Sequence, residues 1–312
     1  MNASVMPPIE SLPLTLRAVF FIAENHHEIL SRARQAIENY TRFAGLHNLK
    51  YFFDLEGQPQ ELTSETFDEL LDMWFVDEFA DWPNATIEIQ GDGGTAPGYG
   101  LQYWGRDISV YPPNTRMSFL HFWLPFQELE QDTSSLQRLF ARTTDLLGAS
   151  FAFVSPSIAA TQSVEATLRA RRYWGLDISN PECVCIDLGR RAAGVYWIMY
   201  CGADLGLPRD TFLAFPGSDT GLILDHDAKG GTFVRLSEYP QILDMNRRPD
   251  IRLQTELALR LNSAGLLHTP QEVVHFKGHD LLADAVAQES WYTRFLPESP
   301  GYPDWAREQF GF

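Results

Sequence analysis

The chain has 312 residues, a formal net charge of −17, and 45% apolar and 13% aromatic side chains; that composition supports a substantial buried core and excludes a disordered chain. Between Lys50 and Arg106 lie 55 residues with twelve acids and no base, so this stretch supplies most of the negative excess. A surface built from it would repel phosphates, which excludes DNA, RNA or an anionic membrane as its partner; it reads either as a solvated face or as a surface that steers a basic protein.

In chain order, residues 12–23 are rich in Leu, Val, Phe and Ile and read as a buried strand, not a signal peptide, because Arg17 interrupts the run and no basic region precedes it. Asn25 with Glu28 opens a helix whose apolar residues Ile29, Ala33, Ala36, Ile37, Tyr40 and Phe43 share one face, with Gly45 as its stop. Residues 50–55 read as a second strand closed by the turn residues Gly57 and Pro59. An acidic helix follows, capped by Thr63 or Ser64. Phe67, Leu70, Leu71, Trp74 and Phe75 form its apolar stripe, and Glu65, Asp68, Glu69 and Asp72 lie opposite. The pattern fails after Val76, so the helix breaks before Trp82-Pro83.

A strand at 117–124 is stopped by Pro125, a helix capped at Asp132 or Thr133 ends at Gly148, a strand covers 150–155, and a helix covers 158–171. Tyr103-Trp104-Gly105-Arg106-Asp107-Ile108-Ser109 and Tyr173-Trp174-Gly175-Leu176-Asp177-Ile178-Ser179 match at six of seven positions. The echo suggests an internal duplication over 12–109 and 117–179, with two equivalent corners; coincidence is the alternative. Further on, 183–188 alternate as a strand would, 194–201 are apolar without a decisive period, short strands cover 222–226 and 232–236, and helices cover 250–261 and 279–291. The aromatic tail from Pro297 to Phe312 should pack on the body. The expected class is therefore α+β: a mixed sheet with packed helices, two duplicated β-α-β-α halves and a C-terminal α/β extension, in one compact unit over 1–312. No run approaches the roughly 20 apolar residues of a membrane span, and the three cysteines follow no disulfide spacing, which suits a reducing, cytoplasmic setting.

Catalytic motifs are sparse. Gly217-Ser218-Asp219-Thr220-Gly221 carries its Ser in the wrong place for a nucleophile elbow and reads as a loop, and no phosphate loop or dinucleotide fingerprint occurs. Gly91-Asp92-Gly93-Gly94 reads as a hairpin or loop, and Cys183 with Cys185 as core packing. His275 and His279, with Asp280 adjacent, have the i, i+4 spacing of a helical metal pair, and Asp225-His226-Asp227 offers further donors. A metal-assisted hydrolase is thus the rival to a binding protein, although solvated or structural roles are the better reading of each of these residues, since a zinc site needs three or four convergent ligands.

One segment carries a resemblance. Gly230-Gly231-Thr232-Phe233-Val234-Arg235-Leu236-Ser237-Glu238-Tyr239-Pro240, continuing to Arg247, follows Tyr173-Trp174-Gly175-Leu176-Asp177 and Gly194-Val195-Tyr196-Trp197. This order resembles the bacterial type VI secretion immunity proteins that protect against VRR-NUC nuclease toxins, over roughly residues 12–295 in element order and 170–250 in motifs. The resemblance implies a cytoplasmic antitoxin that covers the DNA-binding surface of a cognate nuclease, with no catalytic residues and no cofactor. Such a nuclease must present a basic surface. Glu61, Glu65, Asp68, Glu69, Asp72, Asp77, Glu78 and Asp81 are then the expected partner-binding residues.

Overall fold

The structure, a computed structural model, describes residues 13–76, 79–91, 98–158, 169–207, 222–269 and 291–311, without the side chains of Glu130 and Gln131. In chain order it contains β1 (Leu14–Ile22), α1 (His26–Ala44), β2 (Tyr51–Phe53), β3 (Pro59–Glu61), α2 (Ser64–Phe75), β4 (Asn84–Gln90), β5 (Gly100–Arg106), β6 (Ser118–Pro125), α3 (Glu128–Leu147), β7 (Phe151–Ile158), α4 (Pro181–Asp187), β8 (Ile198–Cys201), β9 (Ile223–His226), β10 (Thr232–Arg235), α5 (Arg252–Ser263) and α6 (Asp304–Phe310). The strands form one sheet in the order β3-β2-β4-β5-β6-β1-β7-β8-β10-β9. Every ladder between them is antiparallel, so the class is α+β, and the mixed sheet expected from sequence is not what these strands build.

β1 lies inside the sheet between β6 and β7. Leu16, Ala18, Phe20 and Ile22 point into a core shared with α1, α2 and α3, and Val19 and Phe21 point into a second core on the opposite face. Burial on both faces explains why β1 reads as a near-continuous apolar run instead of an alternation. Arg17, the one charge in it, is itself buried and bonds Asp177 Oδ2 at 2.9 Å and the Ser179 carbonyl at 2.7 Å.

Local signals explain most boundaries. Asn25 and Glu28 form a reciprocal capping box at the start of α1, and Gly45 (φ 79°) ends it. Asp132 leaves helical geometry inside α3 (φ −157°) and its carboxylate accepts from the Ser134 and Ser135 amides, so it caps the longer second segment, which Gly148 closes in the left-handed region. Tyr302 is buried, and Trp305 and Phe310 pack against the second core, as expected of the tail.

Four expectations need correction. Residues 181–187 are a helix and not a strand: Asn180 accepts from the Glu182 amide and Pro181 takes the first helical turn, so a local cap outweighs the short alternation at 183–188. Pro59 does not close the second strand; it starts β3, which returns along β2 after the turn at Gly57 (φ 75°). β4 and β5, neither expected as strands, form a ladder over seven residue pairs. The two echoes are also not equivalent corners. Tyr103-Trp104-Gly105 sits inside β5, whereas Tyr173-Trp174-Gly175 lies in turns, with Tyr173 bridging Asp244. What they share is local: Asp107 accepts from the Ser109 amide at 3.1 Å and Asp177 from the Ser179 amide at 3.0 Å. Each glycine also admits a close neighbour, since a Cβ would collide with the His26 ring at Gly105 and with the Gln241 carbonyl at Gly175. The expected helices at 158–171 and 279–291 lie mostly outside the described residues.

Candidate partner-binding face

α2 forms as its sequence dictates. Thr63 Oγ1 accepts from the Thr66 amide at 3.1 Å, while Thr66 bonds back to the Thr63 amide. Phe67, Leu70, Leu71, Trp74 and Phe75 are buried in the core beneath. Glu65, Asp68 and Glu69 consequently stand exposed on the outer face, with Glu61 at the end of β3 just before the helix. Glu65 lies in the first turn, where the positive end of the helix favours a carboxylate.

Asp72 differs from its neighbours. Arg34 of α1 reaches it, Nη1 to Oδ1, at 2.5 Å, and the same guanidinium bonds Glu38 at 3.0 Å. Asp72 is therefore half neutralised within the chain. Asp81 is exposed beyond the end of the helix, and Asp77 and Glu78 lie outside the described residues.

Beyond α2 the chain folds back on itself. Phe79 packs on Trp74 at 5.0 Å between ring centroids and on Trp82 at 4.1 Å. Trp74 and Phe79 are buried, which makes them core, but Trp82 keeps 46% of its surface exposed. Among the described residues seven large apolar side chains are exposed, and four of them, Tyr51, Leu55, Val76 and Trp82, come from the 55-residue acidic stretch. The negative charge and these exposed apolar side chains thus fall in the same stretch of chain, and exposed apolar side chains among charges are a mark of interaction surfaces.

A cleft of about 820 Å³ opens beside this face, between the β2–β3 hairpin, α2 and β4. Phe52, Leu55, Leu70 and Met73 supply apolar lining; Asp54, Glu56, Glu69 and Glu88 supply charge, and among the described residues no Lys, Arg or His lines it. Asp54 is held ionised below the usual carboxylate range, chiefly by the Gln58 amide and then by the Gln60 side chain. Burial pushes Glu88 upward against the hydrogen bond it accepts from Gln90, with Glu182 of α4 adding repulsion. Sequence reasoning missed the cleft because it missed β4, although the alternation of Ala85, Ile87 and Ile89 with Thr86, Glu88 and Gln90 was there to be read.

The residues proposed for metal chemistry are hydrogen-bonded within the chain or lie outside the described residues. Asp227 accepts from the Lys229 and Gly231 amides and from Tyr200 Oη at 2.6 Å, and so closes the β9–β10 turn. Asp225 accepts from the His226 amide, and His226 Nδ1 lies 3.1 Å from Thr232 Oγ1. Among the described residues no three His, Cys, Asp or Glu side chains converge as a cation requires, and His275, His279 and Asp280 lie outside them. Cys185 is buried and donates to the Glu182 carbonyl, and burial pushes its thiol up to about 12, which fits packing and not reactivity. Among the described residues no helix is long and apolar enough to cross a membrane.

Comparison with known proteins gives the family and the fold. No curated protein matches the chain. Among solved structures, the Pseudomonas aeruginosa T6SS protein PA0821 shares the fold with a TM-score of 0.73 at 16% identity, covering 95% of this chain and 86% of that one. The family model described as type VI immunity for VRR-NUC, TsiV, matches residues 32–295, a span that takes in the acidic helix and the residues lining the cleft. On that match the chain belongs to the TsiV family of type VI immunity proteins.

Proposed function

We infer that this protein neutralises a cognate nuclease toxin by binding its nucleic-acid surface through the face formed by β3, α2 and the segment to Trp82. The coincidence of exposed acids with exposed apolar side chains carries the reading. A nuclease must hold phosphates and so offers Lys and Arg where its substrate lies. Glu61, Glu65, Asp68, Glu69 and Asp81 would meet those charges, with Asp77 and Glu78 in the same stretch; Asp72, already paired with Arg34, would add less. The carboxylates would steer encounter, and Trp82, half-exposed on an aromatic base, would supply an apolar anchor that holds the complex once formed. Inhibition is then occlusion and needs no turnover, metal or cofactor from this chain.

The test is co-expression with the product of the adjacent gene, scoring growth and DNA damage. Rescue with a co-purifying complex is the expected result. Persistent toxicity at matched expression would remove the reading.

A further inference from the structure

The sheet has an opening in the middle of its acidic end. β2 pairs with β4 only at Tyr51↔Gln90 and Phe52↔Ile89, then turns away at Asp54 into its hairpin with β3. β4 continues to Asn84, paired with β5 throughout. Over residues 84–88, no described strand pairs with β4 on the side away from β5. Alternation along the ladder fixes which backbone groups face that gap. The Gly91 amide bonds the Tyr99 carbonyl toward β5, so Ile89, Ile87 and Ala85 also turn their backbone groups to β5. Thr86 turns its N–H and C=O the other way, into the opening.

The cleft runs past this edge. Leu70 and Trp74 reach it from the face that carries α2, where Ile87 is buried, whereas Thr86 and Glu88 reach it from the opposite face of β4. A space touched from both faces of a strand must pass alongside the strand's own edge. Five residues of free edge span about 17 Å, room for a short added strand. Natural sheets protect such edges or use them for binding. The outermost strand, β3, carries Pro59, but the gap at β4 has no comparable block.

We propose that the β4 edge at Asn84–Glu88 receives an extended segment of the partner nuclease as an added strand, one that alternates basic with apolar side chains. The lining selects this occupant: Asp54, Glu56, Glu69 and Glu88 favour Lys or Arg and no basic residue among the described ones opposes them, while Phe52, Leu55 and Met73 receive the intervening apolar residues. Main-chain bonds to Thr86 supply affinity and the alternation supplies register. This inference rests on the nuclease-binding reading above and locates one segment of that complex.

Hydrogen–deuterium exchange of the full chain, alone and with the nuclease it neutralises, tests it. Binding should slow exchange of the gap-facing Thr86 amide at least tenfold. In parallel, Thr86→Pro removes the edge amide where an edge strand tolerates proline, and should weaken the complex at least tenfold, while Thr86→Val, which keeps the amide, should weaken it far less. A complex that forms with no change in exchange at Thr86 overturns the added strand and leaves the nuclease-binding reading intact. Equal binding by a folded Thr86→Pro variant does the same. Failure of the wild-type chain to bind the nuclease at all overturns both.

Discussion

Arg34 Nη1 lies 2.5 Å from Asp72 Oδ1, tying α1 to the acidic face of α2. The contact divides acids that look alike in sequence: Asp68 and Glu69 are exposed and offered to solvent, whereas Asp72 is partly engaged within the chain. Asp72→Asn should therefore change association with the nuclease less than Asp68→Asn. As a part-exposed ion pair it should cost under about 1 kcal/mol in stability. Urea unfolding and stopped-flow association of the two variants would separate these effects. A larger kinetic loss for Asp72→Asn would mean that the intrachain pair opens on binding.

The aromatic cluster yields a second contrast. Trp74 is buried, so Trp74→Ala should cost about 3–5 kcal/mol in stability. Trp82 is half-exposed, so Trp82→Ala should leave most of the stability and weaken the complex by about 2 kcal/mol or more if it anchors the partner. Denaturant titration and calorimetric binding on both variants would show whether the two effects separate in this way.

Arg17 and Asp177 make a third case. Both are buried and bonded at 2.9 Å across the junction between β1 and the second Tyr-Trp-Gly segment. Removing one partner strands the other charge, so Asp177→Ala should cost about 3–5 kcal/mol. The double variant Arg17→Met/Asp177→Leu should recover much of that loss, because no charge then remains buried alone. A double variant as unstable as Asp177→Ala would show that the role of the pair is not primarily electrostatic.

Stability should also fall in mild acid. His26 is buried where α1 begins, against Tyr103 and under Phe75 of α2, and burial pushes its pKa from 6.5 to about 4. The unfolded chain takes up this proton below about 6.5 and the folded chain only near 4. Stability is thus fully present above pH 6.5 and falls toward pH 4, at up to about 1.4 kcal/mol per pH unit for this histidine. His26→Gln should flatten that slope in urea titrations run between pH 4 and 7. An unchanged slope would assign the acid sensitivity to other groups.

Legibility in the sequence followed the length of each local signal. α1 and α2 were readable because a cap, a stripe of several apolar residues and a stop agreed at each. β1 was readable from its unbroken apolar run. By contrast, the alternation at 183–188 was too short to oppose the Asn180-Pro181 start. β5 hid behind Gly100 and Gly105, which lower strand propensity but are needed here: a Cβ at either would meet the Trp123 or His26 ring. The acids of the proposed partner-binding face were visible as a charge run, and their separation into free and paired groups was not, because Arg34 is far from Asp72 in sequence. The cleft depends on where β2 leaves β4, a property of register that no single segment records.

The account turns on whether free carboxylates on α2 steer the nuclease. The most direct measurement is the association rate of the nuclease with wild type and with Asp68→Lys/Glu69→Lys across a salt series. The predicted result is a wild-type rate that falls steeply with salt and a variant at least about tenfold slower at low salt, the two converging as screening grows. Equal rates at low salt, with equal protection of DNA, would contradict the claim and take the acidic helix out of the interface.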